Sequence, residues 1–267
     1  MRLATILIPT YSKNEKYIDC CVNIIDRLWP SHPEIWVLSD VGEFHYKNKI
    51  IINSPHWTIV LKKGTEALLQ KGVFTNNDYI LLLHEDHIPF NAVQTNIIDS
   101  VLNYVASKQI KFISLTGHGI DHKVDKINGL HIHKVRDSYK YYSEHHPAIW
   151  NVEHLLNIMR IAVKAGALSP WSSEFVKDPN VAHYTVTKEN AIYGTWPLIF
   201  SGFLSNGYVN FTALKKMNGP EFKELRKILI REYIKQLLPR YIQTIKEKSR
   251  NIIHRLFALF GVSDKLK

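Results

Sequence analysis

Apolar residues follow two rhythms along this chain. Leu3 to Ile8 is a short uninterrupted run closed by Pro9-Thr10, and Glu34 to Ser39 is another, closed by Asp40-Val41-Gly42. Runs of this length read as strands buried on both faces. Between them Ile18, Cys21, Val22, Ile25, Leu28 and Trp29 recur at helical spacing until Pro30 stops the helix. Strand, helix and strand in such close succession form a βαβ unit, which implies a parallel sheet.

The same reading continues downstream. Ile50 to Ile52 and Trp57 to Leu61 are predicted as short strands, Thr65 to Phe74 as a helix, and Tyr79 to Leu83 as a further buried strand. A helix is expected from Asn91 to Ser107, with Val93, Ile97, Val101, Tyr104 and Val105 on one face, then a strand from Lys111 to Leu115. Beyond the glycine-punctuated Thr116-Gly117-His118-Gly119 the pattern is mixed. His131 to Val135 and Tyr139 to Trp150 look extended, Val152 to Ala165 helical, and Pro170-Trp171 opens a turn or helix; Ile199 to Asn210, with Gly202 and Gly207, suits a strand and turn. From Pro220 two basic amphipathic helices are expected, broken near Pro239. The first carries an apolar stripe of Phe222, Leu225, Leu229, Tyr233 and Leu237, the second one of Ile242, Ile245, Ile252, Leu256 and Phe260. The expected fold class is therefore α/β: a mainly parallel central sheet flanked by helices, with a C-terminal helical appendage.

Composition changes this picture in two places. The chain carries 34 Lys and Arg against 24 Asp and Glu, and from Lys215 onward there are 14 against 5, so nearly all of the positive excess lies in the tail. A body close to neutral argues against a nucleic-acid-binding face, and no nucleic-acid partner is expected. The tail has three readings: a helical pair packed on the domain, a nucleic-acid arm, or a pair lying on an anionic membrane surface through 220–267. Aromatic and branched residues opposite Lys and Arg favour the membrane surface. The two cysteines, Cys20 and Cys21, are adjacent in a helical segment and read as reduced packing residues of a cytoplasmic protein. The apolar run after Met1-Arg2 is too short for a signal peptide, and no stretch is long enough to span a membrane. A cytoplasmic location, peripheral at the inner face of the membrane, is expected.

Candidate chemistry gathers where the buried strands end. In an open parallel sheet, ligands bind beyond the carboxyl ends of the strands. Here one strand ends in Thr10, another in Asp40, and a third in His84-Glu85-Asp86-His87. Two carboxylates and two imidazoles at the tip of a buried strand are costly to hold together unless something cationic or catalytic is there. The plain alternative is a polar turn at each strand end, with Asp40 a turn or cap residue.

Ile6-Leu7-Ile8-Pro9-Thr10-Tyr11, Ile35-Trp36-Val37-Leu38-Ser39-Asp40 and Tyr79-Ile80-Leu81-Leu82-Leu83-His84-Glu85-Asp86 resemble, in order and spacing, the nucleotide-sugar half of GT-A glycosyltransferases. Within that family the chain resembles bacterial enzymes of surface polysaccharide and lipopolysaccharide synthesis that carry a Glu-Asp variant of the Asp-x-Asp motif. The resemblance implies that Pro9, Thr10, Tyr11, Asp40 and Glu85 line the nucleotide-sugar pocket, and that Asp86 with His84 holds a divalent cation on the diphosphate. His84 stands where the family has its first Asp. Imidazole is better tolerated by Mn²⁺ than by Mg²⁺, so Mn²⁺ is the expected cation.

His146-Pro147-Ala148-Ile149-Trp150-Asn151 followed by Ser169-Pro170-Trp171-Ser172-Ser173-Glu174 resembles the acceptor side of the same relatives. That likeness assigns Trp171, His146 and Trp150 to acceptor binding and Glu174 to the general base of an inverting transfer. A carboxyl group held away from water has the raised pKa that suits a base. The residues alone also allow a plain helix start, with Ser169 as cap, Pro170 at the first position and Glu174 facing the helix dipole. The implied organisation is a glycosyltransferase domain over 1–211, with a nucleotide-sugar half at about 1–116 and an acceptor half at about 117–211, and a basic tail over 212–267. The implied partners are a nucleotide diphosphate sugar as donor and a glycan or glycolipid as acceptor. Two other classes fit the same residues: a nucleotidyltransferase on a related sheet, and a non-catalytic nucleotide-sugar or glycan-binding protein. A metal-dependent hydrolase is a further alternative; it would need His131 and His133 to gather with His84, His87, His118 and His122 around one metal. Sugar specificity is expected in a loop between His118 and Asn128.

Overall fold

The structure is a computed structural model, and it describes residues 3–145, 147–188, 200–205 and 208–236. Its centre is a nine-stranded sheet built from β1 (Thr5–Pro9), β2 (Ile35–Ser39), β3 (Lys49–Ile51), β4 (Tyr79–Leu82), β6 (Phe112–Ser114), β7 (Ile120–Ile127), β8 (Leu130–Val135), β9 (Ala148–Asn151) and β10 (Tyr184–Lys188). The spatial order is β3-β2-β1-β4-β9-β6-β10-β8-β7. β3, β2, β1 and β4 are parallel, as are β6 and β10, while β9 and β8 run against their neighbours, so all strands but those two share one direction. Short two-stranded pairs join β5 (His87–Pro89) to β11 (Phe200–Gly202), and β12 (Leu204–Ser205) to β13 (Tyr208–Val209).

The uninterrupted apolar runs follow from burial on both faces. Ile6, Ile8, Val37, Leu81 and Leu83 pack on one side under α1 (Ile18–Leu28) and α3 (Thr95–Ser107). Their sequence neighbours Leu7, Leu38, Ile80 and Leu82 pack on the other side under α2 (Trp57–Gln70) and α4 (Val152–Lys164). Successive strand side chains point to opposite faces, so a strand between two helical layers needs apolar residues at every position. The result is the expected α/β architecture, a mainly parallel sheet flanked by helices.

Several local expectations are corrected. Trp57 to Leu61 is the first turn of α2 rather than a strand, because Trp57, Val60, Leu61 and Leu68 lie on one buried helical face and helix geometry satisfies all of them at once. The helix after β4 starts at Thr95 and not at Asn91; residues 91–94 have no regular structure. Among the described residues from Tyr139 to Trp150 the only strand is β9, beginning at Ala148. The segment from His118 to Asn128 is mostly β7, hairpinned to β8, and not a loop.

α5 (Pro170–Ser173) and α6 (Phe211–Lys216) complete the labelled helices, and residues 223–236 are also helical. That last helix buries Leu225 and Leu229, with Phe222 just before it, against Tyr17, Cys21 and Ile24 of the α1 region and against Phe203. Lys16 pairs with Glu232 at 3.0 Å across the contact. The start of the tail stripe is therefore spent on the body, as the packing alternative requires; the expected second tail helix lies outside the described residues.

Candidate functional site

Because β2, β1 and β4 are adjacent and parallel, the residues after them share one edge of the sheet. Asp40, Thr10-Tyr11 and His84 to His87 therefore stand side by side. β9 reaches the same edge from the opposite direction. Its antiparallel pairing of Ala148 with Leu82 brings the residues before Ala148 beside those after Leu82, which is how His145 comes to His84.

On the β1–β2 side, Asp40 accepts hydrogen bonds from the Ser12 backbone N–H at 2.7 Å and from the Ser12 hydroxyl at 3.4 Å, clamping the two strand ends together. Pro9 is the last residue of β1, and Thr10 is buried. Tyr11 is half-buried, and its phenol is pushed up by burial and by the carboxylates of Glu85 and Asp86. Glu15 has no counterpart in the sequence reading. Its buried carboxylate accepts from the Ser39 hydroxyl and from the Gly42 and Glu43 N–H groups at 2.6 and 2.7 Å. Burial pushes its pKa up, but these hydrogen bonds outweigh burial and leave it below the usual range.

At the tip of β4 the ionisable side chains diverge. Glu85 turns inward: it is buried, it accepts from the Asn14 amide, and its carbonyl accepts from the Cys21 thiol at 3.0 Å. Burial, with Asp86 beside it, raises its pKa. Glu85, expected in the nucleotide-sugar pocket, is thus buried with its carboxylate held by the Asn14 amide. Asp86 keeps partial exposure, with Oδ1 2.9 Å from Nδ1 of His87. Gly202 lies against it, and a Cβ there would come 3.4 Å from Asp86 Oδ2 and 3.5 Å from His87 Nε2. A Cβ at 202 would thus make ordinary van der Waals contact with the carboxylate from β11. One such carboxylate, with diphosphate oxygens and water completing the shell, is a usual donor set for Mg²⁺ or Mn²⁺, so the residues fit the expected cation.

On the β9 side, His84, His145 and Glu174 meet. One ring nitrogen from each histidine and one carboxylate oxygen lie within 4.8 Å of one another. Glu174 follows α5, whose start is the capped turn expected from the sequence: Ser169 and Ser172 exchange hydrogen bonds, and Pro170 takes the first helical position. The Glu174 carbonyl accepts from the Ser143 N–H and its Oε1 from the His145 N–H, both at 3.0 Å. Only 2% of Glu174 is exposed. Burial first, then Glu144, pushes its pKa to about 8 against the His145 hydrogen bond. Burial and the neighbouring His87 and His145 depress His84 to about 3, so its ring is neutral. Trp57 lies against both imidazoles, with centroids 5.5 Å from His84 and 5.0 Å from His145.

Glu144 anchors the next strand end. Its buried carboxylate accepts from Ser114 and Thr116 at 2.9 Å and meets Nδ1 of His118 at 2.7 Å. His145 and Glu144 were not legible as site residues, because nothing in a single sequence says that β9 is inserted antiparallel next to β4.

The acceptor-side expectations divide. Trp171 is 52% exposed and offers a free indole face. Trp150 is fully buried, packed against Phe112 and His154, and is corrected from an acceptor contact to a core residue. His146 lies outside the described residues. His131 and His133 share a face of β8 with centroids 6.1 Å apart, but among the described residues they form no three-ligand cluster with His84, His87, His118 or His122. No helix among the described residues is long and apolar enough to cross a membrane.

No protein-family model and no curated protein matches the chain. Among solved structures, a 4-diphosphocytidyl-2C-methyl-D-erythritol synthase aligns at a TM-score of 0.41 with 11% identity, over 67% of this chain and 94% of that one. A mutant Drosophila β1,4-galactosyltransferase 7 in complex with manganese, UDP-Gal and xylobiose aligns at 0.33 with 13% identity, over 77% and 72%. An active-site mutant of LgtC aligns at 0.35 with 9% identity, over 67% and 72%.

Proposed function

We propose that the chain is a glycosyltransferase that moves a sugar from a nucleotide diphosphate sugar to a hydroxyl of a glycan or glycolipid, with inversion. The reading is carried by one observation: Thr10-Tyr11, Asp40, Asp86 and Glu174 belong to segments that meet at one edge of the sheet, although they are scattered along the chain.

In this reading the first strand ends, Tyr11 included, take the nucleoside, with Asp40 held in place by Ser12. Asp86 would hold a divalent cation, Mn²⁺ in preference to Mg²⁺ beside imidazoles, which offsets charge on the leaving diphosphate. Glu174 takes the proton of the acceptor hydroxyl at Oε2, since Oε1 is committed to the His145 N–H. A carboxylate whose pKa is raised to about 8 binds that proton more firmly than an ordinary one. Trp171 supplies the flat apolar face for an acceptor ring.

The testing experiment is a thermal-shift screen of nucleoside diphosphates and triphosphates with and without Mn²⁺, followed by an assay for release of diphosphate from the donor that stabilises best. Metal-dependent stabilisation by UDP or GDP is expected. Preference for triphosphates would point to the nucleotidyltransferase instead, and the absence of any nucleotide effect would overturn the proposal.

A further inference from the structure

In the transferase reading one cation belongs to Asp86 and the donor diphosphate. A separate cluster lies on the β9 side. His84 follows β4, His145 precedes β9 and Glu174 follows α5, so three distant segments deliver two imidazoles and one carboxylate to one point, with donor atoms no more than 4.8 Å apart. Ligands 2.0–2.2 Å from a common centre close onto a cation from that spacing with only small side-chain movement.

We infer that His84, His145 and Glu174 form a second metal site, selective for a borderline transition ion of the Zn²⁺ type and distinct from the diphosphate cation at Asp86.

Three features support it. The donor set is two nitrogens and one oxygen, which suits Zn²⁺ and not Mg²⁺ or Ca²⁺. The groups behind the ligands are already in place: Nδ1 of His145 meets the Ser173 hydroxyl at 3.4 Å, and Glu174 Oε1 accepts from the His145 N–H, which leaves Oε2 for the metal. Oε2 is buried and has no hydrogen-bond partner among the described residues, the kind of atom that carries an energetic cost unless a ligand meets it.

One consequence rests on the transferase reading. Metal and acceptor proton would compete for Oε2 of Glu174, so Zn²⁺ is expected to inhibit a reaction that Mn²⁺ supports.

The test uses the full chain, stripped with a chelator and then freed of it, and titrated with Co²⁺ as a visible probe and with Zn²⁺ in competition. One equivalent of Co²⁺ should bind with the intense visible bands of a four- or five-coordinate ion, and Zn²⁺ should displace it. His145→Ala and the near-isosteric Glu174→Gln should each weaken binding at least tenfold, as thermal unfolding confirms that Glu174→Gln is folded. Asp86→Ala should leave Co²⁺ binding unchanged. Absence of stoichiometric binding, or equal binding by wild type and Glu174→Gln, would overturn the site. Stoichiometric binding by a protein with no nucleotide response would keep the site and discard the transferase reading.

Discussion

Glu174 and Asp86 are both carboxylates at one sheet edge, yet their surroundings differ. Glu174 is closed off by the 143–145 segment, and burial pushes its pKa to about 8, so it becomes able to take a proton as pH rises toward that value, whereas Asp86 stays partly exposed beside His87. Loss of a positioned general base typically costs about 10²–10⁴-fold in rate. Glu174→Gln is accordingly expected to lower kcat by at least about 100-fold with little change in nucleotide binding. Asp86→Ala should instead abolish the Mn²⁺-dependent part of nucleotide binding, read as loss of the thermal shift. Gly119 supports the same edge, at φ +65, where a Cβ would come 2.5 Å from the Tyr139 ring. Backbone strain and ring displacement add, so Gly119→Ala should destabilise the fold by about 1–3 kcal/mol in a denaturant titration. That polar residues follow the buried strands at Thr10, Asp40 and His84 was readable, because the apolar runs stop abruptly there, and the adjacent parallel strands bring these residues to one edge. That Glu85 turns inward while Asp86 does not was unreadable, since alternation fails once the chain leaves β4 for a turn.

Elements that repeat one simple pattern were legible, and those defined by distant partners were not. β1, β2, β4, α1 and α4 follow from apolar runs and helical spacing that need no knowledge of neighbours. α2 was misread at its start because Trp57, Thr58, Ile59 and Val60 favour strands locally, and tertiary packing of the Trp57, Val60 and Leu61 face decides otherwise. β10 was missed because Tyr184 to Lys188 alternates with polar residues and gains its place from β6 and β8. The join of α4 to β10 also carries a pH dependence. His154 and His183 lie with their Nε2 atoms 2.8 Å apart, and burial, with mutual repulsion at His183, depresses them to about 4 and about 3 from 6.5. The unfolded chain therefore takes up protons below about pH 6.5 that the folded chain refuses. Their contribution is present in full above that value and is lost as pH falls toward 4, with a slope of at most about 1.4 kcal/mol per pH unit per histidine. Urea midpoints measured from pH 7.5 to 5 should fall accordingly, and His154→Leu should flatten the curve.

Across the whole molecule, charge and apolar packing are divided along the tail. The positive excess lies there, yet Leu225 and Leu229 are committed to the body. Leu229→Ala should lower global stability by about 2–5 kcal/mol, as for other buried leucines. If that stripe served a membrane surface instead, the substitution would weaken vesicle binding and leave the denaturation midpoint unmoved. The order β4-β9-β6-β10-β8 has a further consequence, for the time at which the sheet can close. When a ribosome has released residues up to Asn128, β4 and β6 exist but have no partner on their shared side, because β9 and β10 are still unmade. The sheet must wait for strands synthesised last to be laid between strands made first, a high-contact-order step that is slow and leaves unpaired strand edges exposed meanwhile. A fragment ending near residue 116 should for that reason emerge aggregated, and the edge that gathers Thr10, Asp40 and Asp86 should be completed only with the whole sheet.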